Sequence, residues 1–159
     1  MLLADEAHTH VFAFAGDDVL VGSEHADELH GGAGEDELHG LGGNDSLLGG
    51  EGADRLLGGA GDDRMEGGAG DDRYEFTFGE GVDIAIEVSG EGNDVVALGQ
   101  GTPIESIRLR RSGNDLVITE RGGTGRLFLR NWYVNEAAPG IEAIVHDGGR
   151  LDAPSIAAR

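Results

Sequence analysis

The 159-residue chain carries 31 acidic side chains against 11 basic ones, all of them arginine, for a formal charge of −20, and 30 of its residues are glycine. That balance argues against a nucleic-acid or anionic-membrane binder, because both need a basic face. The absence of cysteine excludes disulfides, thiolate metal sites and cysteine nucleophiles, and no apolar run approaches the ~18 residues of a membrane span.

The first element, residues 1–12, is a lead-in. Its start, MLLADEAHTH, has neither a basic n-region nor an apolar core of ~7–15 residues, so a cleavable secretory signal is not expected there. His8 and His10 alternate and read as solvated strand residues.

The second element, residues 13–75, holds 17 acidic side chains, 3 arginines and 17 of the glycines. Composition alone makes such a segment disordered. A period of nine opposes that reading. The segment divides without gaps into AFAGDDVLV, GSEHADELH, GGAGEDELH, GLGGNDSLL, GGEGADRLL, GGAGDDRME and GGAGDDRYE. The sixth position is always aspartate: Asp18, Asp27, Asp36, Asp45, Asp54, Asp63 and Asp72. The eighth is always large and apolar: Leu20, Leu29, Leu38, Leu47, Leu56, Met65 and Tyr74. The fourth is glycine in six repeats, with His25 the exception. Acidic low complexity does not hold an aspartate and a leucine in register over seven cycles.

Six glycine-rich residues followed by a polar–apolar–polar triplet predict a turn and then a three-residue strand. Alternation along the strand turns the eighth residue inward and its neighbours outward. Those neighbours include Glu28 and His30, Glu37 and His39, Arg64 and Glu66, and Arg73 and Glu75. One nonapeptide makes one side of a flattened coil and two make a turn, so seven repeats give about 3.5 turns, stacked over about 17 Å at the usual strand spacing. Asp18, Asp36, Asp54 and Asp72 then stack on one edge, and Asp27, Asp45 and Asp63 on the other. Stacked carboxylates repel, and the turn carbonyls between them are expected to lack ladder partners. A hard cation taking six to eight oxygen ligands relieves both conditions. Mg²⁺ fits less well because it demands an octahedron and keeps its water. Zinc prefers histidine and cysteine, and His30 and His39, nine residues apart, fall on opposite sheets. Five same-edge pairs predict about five Ca²⁺. The GAGDD runs lack the strand–loop–helix setting of a phosphate loop.

The repeat G-G-x-G-x-D-x-U-x resembles that of the RTX (haemolysin-type) calcium-binding family. The resemblance covers 13–75. It implies an all-β fold, a right-handed parallel β-roll with a C-terminal β-rich cap, and an ion between each turn and the turn two repeats later. The earlier turn would give the carbonyls of positions two and four and its aspartate; the later one would give the carbonyls of positions one and three and its aspartate. One implied interior site is Gly32, Gly34 and Asp36 with Gly49, Glu51 and Asp54. The next is Leu41, Gly43 and Asp45 with Gly58, Ala60 and Asp63, followed by Gly50, Gly52 and Asp54 with Gly67, Ala69 and Asp72. At the start, Asp18 would share an ion with Gly31, Ala33 and Asp36, and Asp27 with Gly40, Gly42 and Asp45. There Phe14, Ser23 and His25 stand where glycine is expected, which predicts strain in those turns.

The third element, residues 76–159, reads as a capping and secretion-related β region. Phe76 and Phe78 alternate, as do Val82, Ile84, Ile86 and Val88. The repeat decays through Gly79, Gly81 and Asp83, then Gly92 and Asp94. Asp83 with Gly59, Gly61 and Asp63, and Asp94 with Gly68, Gly70 and Asp72, would raise the count to seven sites. Further strands are expected at 94–98, 106–110, 115–120 and 126–134, with strand or short helix at 140–145. This order resembles the domain that commonly follows haemolysin-type repeats. A solenoid end needs a cap, and Phe128, Trp132 and Tyr133 are its expected core, with sugar stacking as their alternative role.

The expected function is a non-catalytic module that folds on binding Ca²⁺. The resemblance adds type I secretion machinery as partner and an extracellular setting. The alternative is a carbohydrate-binding or adhesin module. An enzyme is disfavoured, because only twelve residues precede the repeats and no serine lies in a nucleophile-elbow setting.

Overall fold

Leu20, Leu29, Leu38, Leu47, Leu56, Met65 and Tyr74, every ninth residue across seven repeats, are all fully buried. They form the spine of a two-sheet coil seen in a computed structural model of the chain, which describes residues 2–3, 9–79, 81–87, 92–132, 140–146, 149–153 and 156. The strands of the coil are β1 (Leu2–Leu3), β2 (His10–Phe12), β3 (Val19–Val21), β4 (Glu28–Ala33), β5 (Glu37–Gly42), β6 (Ser46–Glu51), β7 (Arg55–Ala60), β8 (Arg64–Ala69), β9 (Arg73–Phe76), β10 (Val82–Ile86) and β11 (Asp94–Leu98). After a short 3-10 turn at Ile104–Ser106 come β12 (Ile107–Ser112), β13 (Asp115–Glu120), β14 (Arg126–Leu129), β15 (Ile141–His146) and β16 (Gly149–Asp152).

Odd and even strands of the coil separate into two sheets. One runs β1-β3-β5-β7-β9-β11-β15-β16 and the other β12-β13-β14-β10-β8-β6-β4-β2. The fold is therefore a parallel β-roll of about five turns. Leu20 pairs with Leu38, Leu38 with Leu56, Leu56 with Tyr74 and Tyr74 with Val96. On the other sheet Val11, Leu29, Leu47, Met65, Ala85 and Leu129 follow one another. The ladders continue past residue 75, since β14 pairs parallel with β10 and β15 pairs parallel with β11. Antiparallel strands finish each sheet, β13 and β12 on one and β16 on the other. Trp132 is buried in this end, Phe128 is half-buried, and Tyr133 lies outside the described residues.

Four features differ from the sequence expectation. First, β4 to β8 are six residues long, not three. The glycine at position two takes a left-handed backbone, as at Gly50 (φ 124°), so the chain turns a corner and pairing resumes beyond it, with Gly32 opposite Gly50 and Ala33 opposite Glu51. Second, several turn carbonyls have partners: those of Ala33, Glu51, Ala60 and Ala69 accept the N–H of Gly16, Gly34, Gly43 and Gly52. Third, backbone strain sits at Leu41 (φ 77°). Phe14, Ser23 and His25 do not adopt the left-handed backbone, so the strain expected there is not found. Fourth, β10 buries Asp83, Ala85 and then Glu87, while Val82 is exposed and Ile84 and Ile86 are half-buried. Pairing of Ala85 with Met65 decides that face and overrides the hydrophobic alternation. Val88 lies outside the described residues. Downstream, β14 stops at Leu129 because Asn131 is left-handed (φ 57°), and residues 141–146 are strand.

Candidate metal centre

The two edges of the roll hold two aspartate ladders joined by hydrogen bonds that the repeat pattern does not announce. On one edge the N–H of Asp18 donates to Asp36 Oδ1 (2.8 Å), Asp36 to Asp54 (2.8 Å), Asp54 to Asp72 (2.8 Å) and Asp72 to Asp94 (2.8 Å). On the other, Asp27 donates to Asp45 (2.8 Å), Asp45 to Asp63 (2.9 Å) and Asp63 to Asp83 (3.0 Å). All of these aspartates except Asp18, which is half-buried, are 4% exposed or less. One carboxylate oxygen thus acts as a backbone acceptor in the coil.

The second oxygen does something else. Oδ2 of Asp36, Asp45, Asp54 and Asp72 is buried and has no hydrogen-bond partner. It folds back over the position-one glycine of its own repeat. A Cβ placed on Gly31 would lie 2.4 Å from Asp36 Oδ2 and 2.7 Å from the Gly49 carbonyl oxygen. At Gly40 the distances are 2.2 Å to Asp45 Oδ2 and 2.4 Å to Gly58 O; at Gly49 they are 2.2 Å to Asp54 Oδ2 and 2.6 Å to Gly67 O. At Gly58 the nearest atom is Asp63 Oδ2, at 2.3 Å. Only glycine leaves this oxygen-lined space open. Carbonyls of positions two and four project onto the next coil: a Cβ on Gly50 would sit 2.0 Å from Gly32 O, and one on Gly52 2.0 Å from Gly34 O. Gly43, Gly59, Gly61, Gly68 and Gly70 share the left-handed backbone of Gly32 and Gly34.

Desolvated carboxylates stacked on one another resist ionisation. Burial, reinforced by the aspartates above and below and partly offset by the ladder N–H, pushes Asp45 and Asp54 up to about 7. Burial with the charges of Asp72, Glu142 and Asp71 brings Asp94 to about 7 as well. Asp36 and Asp72 are raised for the same first reason. A donor set made only of oxygen, part of it anionic and without hydrogen-bond partners, suits a hard divalent cation.

Asp27 stands apart. Burial raises its pKa, but the N–H and hydroxyl of Ser23 (2.6 and 2.8 Å) and of Thr9 (2.9 and 2.9 Å) outweigh that effect and hold it below the usual range. Ser23, a departure from the glycine pattern, thus supplies a second-oxygen partner that the interior aspartates lack. Two further acidic residues were invisible to the repeat. Glu142 Oε2 accepts the Asp94 N–H (2.6 Å) and so ends that ladder, while Glu87, just after β10, is buried beside Tyr74. Neither falls on the nine-residue period; the acidic character of each and its place at an apolar strand are the only signals. His30 and His39 lie on opposite sheets, each bonded to the glutamate two residues before it. His10 pairs with Glu28, and His8 is outside the described residues.

The model of the RTX calcium-binding nonapeptide repeat (four copies) matches residues 12–47, 39–74 and 48–83. No curated protein matches the sequence. A similar solved structure is the solution structure of the AlgE6R3 subunit of the Azotobacter vinelandii mannuronan C5-epimerase, at 24% identity and a TM-score of 0.29 over 79% of this chain and 78% of that one. The period, the aspartate ladders and the family match converge: this chain carries an array of RTX repeats, a structural calcium-binding module built as a β-roll.

Proposed function

We propose that the chain is a calcium-operated folding module, unfolded in a calcium-poor compartment and wound into its roll outside the cell. The observation that carries this reading is the row of buried Asp Oδ2 atoms without hydrogen-bond partners. Each is a cost to the cation-free coil and a ligand to the loaded one, so binding free energy becomes folding free energy. The ions lie between successive turns on each edge: five within the seven repeats, and two more where Asp83 and Asp94 extend the ladders. Shared aspartates make loading cooperative along the solenoid. Extracellular modules work with Kd near ~10⁻⁴–10⁻³ M per site, which separates an empty state inside a cell from a loaded state outside. RTX repeats commonly belong to exported proteins, and the resemblance stated above supplies type I secretion as the route. Residues 76–159 act as the cap from which the roll grows, because β14 and β15 extend its two sheets.

Circular dichroism with chelator and with millimolar Ca²⁺ tests this. The expected result is a disordered spectrum that becomes β on adding calcium; a β spectrum indifferent to calcium refutes it. A glycan-binding role has one observation in its favour. Arg108, Arg110 and Arg126 surround the half-buried Phe128 and Thr119 on an open face of β12–β14, a basic groove on an acidic chain. Trp132, 3% exposed, is not available for stacking there. A glycan array with Arg110→Ala and Arg126→Ala as controls decides that point.

A further inference from the structure

We propose that Glu87 is a ligand of the last cation site of the roll, making it a three-carboxylate site with Asp72 and Asp94, unlike the aspartate-pair sites before it. The inference rests on the calcium-roll reading and concerns a residue outside the nonapeptide motif.

Glu66 pairs with Ile86, which puts Glu87 in register with Gly67. Glu87 therefore holds the place that a position-one glycine holds in every interior coil. In those coils the space beside the glycine is bounded by an aspartate Oδ2 and a carbonyl oxygen of the next turn, at 2.4 and 2.7 Å for Gly31 and at 2.2 and 2.6 Å for Gly49. Beside Gly67 the first partner is unchanged, Asp72 Oδ2 at 2.2 Å. The second is Glu87 Oε1 at 2.5 Å. A side-chain carboxylate oxygen thus stands where the pattern otherwise puts a backbone carbonyl.

Two further observations point to a ligand. Asp72 is 1% exposed, and its Oδ2, aimed into this space, has no hydrogen-bond partner. One oxygen from each of Asp72, Glu87 and Asp94 lies within 4.8 Å of the others, which is twice a Ca–O distance of about 2.4 Å. The glutamate is also held in place. Tyr74 donates its hydroxyl to Glu87 Oε1 and accepts the N–H of Gly67 (2.6 Å). The three carboxylates come from the turn before β9, the end of β10 and the start of β11. A cation among them ties the last repeat coil to the chain that leads into the cap.

A third carboxylate raises affinity, because ligand charge sets Kd in oxygen sites of this kind. It also matches a trivalent ion. The test is calcium titration calorimetry on the full chain and on Glu87→Gln, with Glu87→Asp as the charge-retaining control, and with circular dichroism at saturating calcium to check the fold. Glu87→Gln is expected to lose one ion or to weaken the tightest one by at least about tenfold, with a wild-type spectrum at saturation and with recovery in Glu87→Asp. A wild-type protein that binds calcium alongside a Glu87→Gln protein with the same stoichiometry and affinities overturns the Glu87 assignment alone. A wild-type protein that binds no calcium overturns the roll reading beneath it. Terbium gives a readout that needs no variant: emission excited through tyrosine should appear with the first equivalent bound, since Tyr74 touches the site. Its appearance only after the other sites fill overturns the proposal.

Discussion

Acid should replace calcium as the agent that folds this chain. In the cation-free roll Asp45, Asp54 and Asp94 have pKa values of about 7, against 3.8 for an unhindered aspartate. A shift of that size is about 4 kcal/mol for each group, so the three together are on the order of 10 kcal/mol, comparable with the whole stability of a small domain. The folded pKa values are the higher ones, so the folded chain binds protons more tightly than the unfolded chain. This contribution is fully present below pH 3.8, fades as pH rises towards about 7, and is gone above it. The chelated protein is therefore expected to be disordered near pH ~8 and to gain β structure near pH ~5. Circular dichroism in chelator across that range measures it, with sedimentation to show that the acid form is monomeric and not aggregated. A chelated chain equally folded at both ends of the range, or one that folds on raising the pH, would refute the electrostatic argument. Calcium added near pH ~5, where the chelated chain is folded and its buried aspartates hold protons, should also release those protons, which a weakly buffered titration reads directly.

Four substitutions probe the same structure. Asp54→Asn keeps an acceptor for the Asp36 N–H and places an amide donor near Gly67 O. It should make the chelated chain more structured at neutral pH while lowering the number of bound ions, with opposite signs in circular dichroism and calorimetry. Gly50→Ala would drive a Cβ to 2.0 Å from the Gly32 carbonyl at a φ of 124°, and should unwind the coil or raise the calcium needed for folding several-fold; Leu41→Gly relieves φ 77° at a residue 45% exposed and should stabilise the loaded roll by about 1 kcal/mol in thermal melts. Leu47→Ala empties a fully buried position between Leu29 and Met65 and should cost about 2–5 kcal/mol in denaturant titrations at saturating calcium.

The all-β class, the nine-residue period, the buried leucine spine and the stacking of each aspartate on the one eighteen residues later are all present in the sequence. A repeat that binds only its neighbours writes its geometry at short range, and its residues repeat because its environments do. Tertiary structure decided what the period does not reach. Asp83 turns inward, although Val82, Ile84 and Ile86 are the apolar face, because the ladder from Asp63 and the Met65–Ala85 pairing outweigh that alternation. Glu87 and Glu142 come to the ladders through pairings whose chain separations follow no repeat, Asp94 reaching Glu142 across 48 residues. Ser23, which in the sequence looks like a flaw in the glycine pattern, is the donor that satisfies Asp27. The aspartates themselves were legible; the use of one oxygen of each of Asp36, Asp45, Asp54 and Asp72 as a backbone acceptor, leaving the other for a cation, was not. That division depends on where the next coil's N–H falls, which is a property of the wound chain and not of any nine residues in it.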